Sequence, residues 1–120
     1  MEKKIVIIGD DSLERDTLTQ VLIALGHIVK TINDVENIYL TLHLFNPTVI
    51  VMDIDLYRSD GRTVCNEIKS SLLYWHIPVI LLTSLSHDEI GIIECEADAI
   101  LGKPIDTYNL LLAIESFTVT

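Results

Sequence analysis

The chain has 120 residues, 49% of them hydrophobic, and its 18 acidic and 8 basic side chains give a formal net charge of −10. That length suits one domain, 1–120, with an apolar core, and the composition excludes an intrinsically disordered chain. The acidic balance repels phosphate backbones, so direct nucleic-acid binding by this domain is not expected.

Ile5-Val6-Ile7-Ile8 is a continuous aliphatic run, which predicts a strand buried on both faces. Leu18, Val21, Leu22 and Leu25 follow at helical spacing, with Ser12 as the expected N-cap and Gly26 as the expected stop. His27 to Ile32 predicts a second strand. Val35, Ile38, Tyr39 and Leu42 form a second helical stripe, ended by Asn46-Pro47. Val49-Ile50-Val51-Met52 is a third buried strand running into Asp53, and a polar loop leads to Gly61. Val64, Cys65 and Ile68 predict a third helix. Val79-Ile80-Leu81-Leu82 makes a fourth strand ending at Thr83-Ser84, followed by a short helix from His87 to Cys95. Ala99-Ile100-Leu101 makes a fifth strand, and Leu110, Ala113, Ile114 and Phe117 mark a last helix. Strand and helix alternate five times, which predicts an α/β doubly wound (βα)5 sandwich around a five-stranded parallel sheet.

Open parallel sheets bind ligands beyond the carboxyl ends of their strands. Here those ends carry Gly9-Asp10-Asp11, Asp53-Ile54-Asp55, Thr83-Ser84 and Gly102-Lys103-Pro104. Carboxylates gathered at one edge repel one another, and Mg²⁺, which takes one or two carboxylates plus waters and phosphate oxygens, relieves that repulsion. A lysine and a hydroxyl beside them suit a phosphoryl group, whose transfer needs mainly positioning and charge neutralisation. Each residue alone has an ordinary structural reading: Asp11 or Ser12 as a cap of the first helix, Thr83 or Ser84 as a cap of the fourth, Lys103-Pro104 as a turn. Their coincidence at one edge is what carries the functional reading.

This arrangement resembles the CheY-like receiver domain of bacterial two-component response regulators. The resemblance spans essentially the whole chain. It rests on Asp10-Asp11, on Val49 to Asp53, on Asp60-Gly61 with Gly61 eight residues beyond Asp53, on Pro78 to Thr83, and on Lys103-Pro104. It implies a flavodoxin-like sheet of order 2-1-3-4-5. It also implies that Asp53 accepts a phosphoryl group from the phosphohistidine of a sensor histidine kinase or phosphotransfer protein. Asp10, Asp53, the backbone carbonyl of Asp55, and Asp11 would hold Mg²⁺. Thr83 would be the switch hydroxyl and Lys103 the lysine that contacts the phosphoryl group. The domain would then be a signalling phosphoacceptor rather than an enzyme. It would act on an output domain or target protein through its fourth helix, fifth strand and fifth helix.

The sequence departs from the family pattern at several places. Gly9 stands where the first of two acids is expected, which puts Asp10 at the second acidic position and Asp11 one place beyond. Tyr57 replaces a common Pro, Glu96 replaces a frequent Gly, and Ile100 occupies the position of a switch Tyr or Phe. The stretch from Thr83 to Lys103 is roughly two residues shorter than the usual form. Gly9 and Ile100 motivate the alternative of a pseudo-receiver, a protein-interaction module that is not phosphorylated. A third reading, a haloacid-dehalogenase-type phosphatase, is suggested by Asp53-Ile54-Asp55. That fold needs the motif near the chain start and an acidic pair after the lysine, where only Asp106 and Glu115 follow Lys103.

The remaining residues have structural readings. His27, His43, His76 and His87 lack metal-ligand spacing, and Tyr74-Trp75 reads as loop packing rather than a base-stacking platform. Cys65 and Cys95 show no CxxC spacing, which fits a reduced, cytoplasmic protein. No apolar run reaches the roughly 20 residues of a membrane span. Met1 to Lys4 leads too quickly into Asp10 and Asp11 for a secretory signal.

Overall fold

The computed structural model describes residues 2–118. Five strands, β1 (Lys4–Ile8), β2 (Ile28–Ile32), β3 (Val49–Asp53), β4 (Val79–Thr83) and β5 (Ala99–Gly102), form one parallel sheet of order β2-β1-β3-β4-β5. Helices α1 (Ser12–Ala24), α2 (Ile38–Phe45), α3 (Gly61–Lys69), α4 (His87–Ile90) and α5 (Thr107–Phe117) connect and cover it. A small antiparallel hairpin pairs Asp55-Leu56 with Ser59-Asp60 between β3 and α3. Among the described residues no helix is long and apolar enough to cross a membrane.

The continuous aliphatic runs are explained by two cores, one on each side of the sheet. Val6, Ile8, Ile50, Met52, Val79 and Leu81 pack with Ile38, Leu42, Val64, Cys65 and Ile68 of α2 and α3. Their strand neighbours Ile5, Ile7, Val49, Val51, Ile80 and Leu82 pack with Leu18, Leu22, Leu110, Ala113 and Ile114 of α1 and α5. Successive side chains of a strand point to opposite faces, so a strand covered on both sides has no position left for a polar residue. The edge strand β2 is only partly covered, and its Ile28, Lys30 and Thr31 are exposed.

Three local expectations are corrected. The N-cap of α1 is Asp11, whose carboxylate accepts from the Glu14 backbone N–H at 3.1 Å, and Ser12 is the first helical residue. The second strand begins at Ile28, because His27 Nδ1 accepts from the Lys3 N–H and its own N–H goes to Leu22 O. The fourth helix is a single turn, His87–Ile90, rather than a helix reaching Cys95. A longer helix would use the carbonyls of Glu89 and Ile90 for its own N–H groups. Both accept from the Arg62 guanidinium, at 2.8 and 2.9 Å, Glu89 O takes the Ile92 N–H in a tighter turn, and Glu94 O accepts from the Asn66 side-chain amide.

Candidate functional site

Parallel register assembles the site. Ile8 pairs with Met52, Asp53 with Leu82, and Thr83 with Gly102, so Gly9, Asp53, Thr83 and Lys103 emerge at the same edge. The Lys103 N–H donates to Thr83 O at 2.7 Å and fixes the last of these junctions. The edge opens into a cleft of about 450 Å³ that Asp10, Asp11, Asp53, Asp55, Thr83 and Lys103 all line.

Asp53 is buried, at 5% exposure, and its Oδ1 lies 3.2 Å from Lys103 Nζ. Burial pushes the Asp53 carboxyl up to about 6. The Lys103 charge opposes that rise and the nearby Glu14 carboxylate adds to it. Burial disfavours the Lys103 ammonium, but its hydrogen bonds and charge contacts with Glu14 and Asp53 outweigh that, and its pKa is raised. Thr83 is buried, and its Oγ1 accepts from the Leu85 N–H at 2.9 Å, so the hydroxyl holds the first turn of the segment leading to α4.

Two glycines let the chain approach Asp53. A Cβ on Gly9 would lie 2.7 Å from Asp53 Oδ2, and one on Gly61 would lie 2.2 Å from the Asp53 carbonyl oxygen. Gly61 also donates its N–H to Ile54 O at 2.7 Å, closing the hairpin back onto the end of β3.

The sequence-predicted residues are therefore brought together, in unequal roles. Asp10 and Asp53 present side chains to one cleft. Asp11 reaches it too, but its Oδ1 is engaged as the cap of α1. Among the described residues no three carboxylate, histidine or cysteine side chains converge on one point. The cleft thus offers a two-carboxylate set, which is within the range that Mg²⁺ accepts when waters and phosphate oxygens complete its shell.

Three residues that the sequence reading passed over belong to this region. Glu14 Oε1 lies 3.1 Å from Lys103 Nζ, so the ammonium is shared between two carboxylates. The signal was present: Glu14 follows the cap of α1 by three residues and so faces the carboxyl edge of the sheet. Arg58 lines the cleft mouth at the hairpin turn, with φ 57° and its Cζ 5.1 Å from the centre of the Tyr57 ring. Arg62 is buried, and its guanidinium donates to both Asp60 oxygens, at 2.9 and 2.7 Å, as well as to the α4 carbonyls. Nothing in a helical stripe distinguishes such an arginine from a surface one.

A doubly wound parallel sheet thus carries an acidic, lysine-bearing cleft at its carboxyl edge. The model of the response regulator receiver domain matches residues 5–115, and the chain belongs to that family. It is 32% identical over 111 residues to the probable transcriptional regulator ycf27 of Guillardia theta, covering 91% of this chain and 42% of that protein. The chain thus spans less than half the length of that relative. Among solved structures it is similar to the signal receiver domain of a signal transduction histidine kinase from Syntrophus aciditrophicus, with TM-score 0.87 and 27% identity over 97% of this chain and 89% of that one. It is also similar in fold to the receiver domain of the sensor histidine kinase PA1611 from Pseudomonas aeruginosa PAO1, described with a magnesium ion coordinated in its active site cleft. That likeness has TM-score 0.86 and 21% identity, with 98% of each chain covered.

Proposed function

We propose that this receiver domain accepts a phosphoryl group on Asp53, in a Mg²⁺-dependent reaction, from the phosphohistidine of a sensor histidine kinase or phosphotransfer protein. The observation that carries the reading is Asp53 itself: a buried carboxylate facing the cleft, with Lys103 at 3.2 Å and Thr83 one strand away. Asp10 and Asp53, with the Asp55 backbone carbonyl, would hold Mg²⁺, and Asp11 stands beside them as a lesser contributor because it caps α1. The ion would neutralise phosphate oxygens and hold them in line with the attacking carboxylate.

An Asp53 oxygen attacks phosphorus, a P–O bond forms and the P–N bond to the partner's imidazole breaks. The imidazole leaves with the electron pair and takes up a proton. Lys103 neutralises charge on the phosphoryl oxygens, and Thr83 turns to donate to one of them, which carries its Oγ1 away from the Leu85 N–H. That exchange is the step by which phosphorylation would shift α4, β5 and α5 towards an output domain or target protein. Water later hydrolyses the acyl phosphate and regenerates Asp53, so the domain acts only on itself and is not an enzyme with a separate substrate. A cytoplasmic setting follows from a kinase partner and two free thiols.

The alternative, a pseudo-receiver, is favoured by one observation, the absence of a third convergent carboxylate among the described residues. Incubation with Mg²⁺ and a small phosphodonor, or with beryllofluoride, separates the two. The expected result is a single adduct at Asp53, lost in Asp53→Asn. No adduct and no metal-dependent mimic binding would leave the pseudo-receiver as the function.

A further inference from the structure

Glu14 is a carboxylate against the cleft lysine, Lys103, to which phosphoryl acceptance on Asp53 assigns no task. The first turn of α1 is held by Asp11, whose carboxylate accepts from the Glu14 N–H at 3.1 Å, and by Arg15, which donates to the carbonyl of Gly9. Glu14 is therefore presented from a fixed turn, with Oε1 3.1 Å from Lys103 Nζ, while Asp53 Oδ1 lies 3.2 Å from the same nitrogen. Both side chains of the Glu14–Lys103 pair are three-quarters covered, so the contact is less screened than an open surface pair. The Lys103 ammonium has three donors and is the only group that Glu14 touches by ion pairing among the described residues.

We propose that Glu14 is a positioning residue that competes with the phosphoryl oxygens for Lys103 and thereby weakens the phosphorylated state. The proposal rests on Asp53 being the phosphoacceptor. A phosphoryl group on Asp53 brings further negative charge to the place where Lys103 now bridges two carboxylates. Lys103 must then turn towards the phosphoryl oxygens, and Glu14 is left as a like charge a few ångströms away. Glu14 thus holds Lys103 in place before transfer and pulls it back afterwards. The strand end on this side of Asp53 carries Gly9, so Glu14 is the acid that reaches Lys103 from α1.

The test is beryllofluoride binding to the whole domain in Mg²⁺, read by NMR or calorimetry, for wild type, Glu14→Gln, Lys103→Met and the double variant. Glu14→Gln is expected to bind about three- to tenfold more tightly than wild type, the size of a unit-charge repulsion across a partly hydrated cleft. Most of that gain should vanish in the Lys103→Met background, an outcome that a merely structural role for Glu14 would not produce. A second readout needs no metal: thermal unfolding of the same four proteins should be non-additive, since the two side chains touch. If wild type binds the mimic and Glu14→Gln binds no more tightly, the competition is overturned while phosphoacceptance stands. If no variant binds it, the phosphoacceptor reading falls and this proposal with it.

Discussion

Gly9 and Asp53 meet so closely that any side chain at position 9 would touch the Asp53 carboxylate, with a Cβ 2.7 Å from Oδ2. Making room requires the Asp53 side chain to turn, and its other oxygen is in contact with Lys103. Gly9→Ala is therefore expected to turn the Asp53 carboxylate, weaken the Lys103 contact and lower Mg²⁺ affinity several-fold. Titration of the backbone amides of β1 and β3 with Mg²⁺ measures this. Unchanged affinity would show that Asp53 has room to turn.

Burial makes Asp53 costly to the folded state. Its folded pKa, about 6, lies above the ordinary 3.8, so the folded protein binds this proton more tightly than the unfolded chain does. The associated stability is fully present below about pH 4 and is lost as pH rises through about 6. A displacement of that size corresponds to about 3 kcal/mol, and it is already net of the Lys103 contact, which opposes the rise. Asp53→Asn, without metal, is thus expected to be more stable than wild type by about 1–3 kcal/mol at pH 7 and to lose that advantage near pH 4. Denaturant unfolding at the two pH values reads it, and an advantage that grows towards acid would contradict the sign.

Arg62 adds to the backbone hydrogen bonding of α4 at its C-terminal end. The helix has one turn, its N-terminus capped by Ser86 through a reciprocal pair with Glu89, and its last two carbonyls bonded to Arg62. The Asp60–Arg62 pair, at 2.7 Å, ties the same guanidinium to the hairpin that follows Asp53. Arg62→Met removes a buried charge and the guanidinium donors to Asp60 Oδ2 and Ile90 O, while Asp60 Oδ1 keeps the Arg62 N–H and Glu89 O keeps the Ile92 N–H, and is expected to cost about 2–4 kcal/mol, below the fully buried limit because Asp60 is partly hydrated. Hydrogen exchange should accelerate at residues 87–93 far more than in β3. Uniform acceleration would mean that Arg62 is ordinary core packing.

Thr83 is predicted to link the site to that helix. Thr83→Val keeps volume but removes the acceptor for Leu85 N–H and should cost about 1 kcal/mol. Beryllofluoride should still bind, while the chemical-shift changes it induces in residues 85–93 shrink. Full-sized changes in Thr83→Val would place the coupling elsewhere.

The sheet and the residues at its carboxyl edge were legible because they depend on periodicity. An uninterrupted run such as Val49 to Met52 has few alternatives to a doubly covered strand, and the residue after it must stand at the edge. The caps were less legible. Asp11 and Ser12 are equally good cap types, and backbone geometry decides between them. The fourth helix was overread because Ile90, Ile92 and Ile93 mimic a stripe, whereas Arg62 and Asn66 from another element take the carbonyls that would have extended it. Glu14 was missed for a related reason: a first-turn acid is common for its effect on the helix dipole, and its bond to Lys103 spans nearly the whole chain.

The register of the sheet also limits how this domain can tolerate insertions. Pairings one residue deep, Ile8 with Met52, Asp53 with Leu82 and Thr83 with Gly102, bring Asp53, Thr83 and Lys103 to one edge. One extra residue inside β3 would advance Asp53 by about 3.3 Å and turn it to the opposite face of the sheet. The same residue added to the loop between β3 and α3 would leave Asp53 where it is. Length variation compatible with signalling is therefore confined to the connections, and the five strands behave as a fixed ruler against which the chemistry is measured.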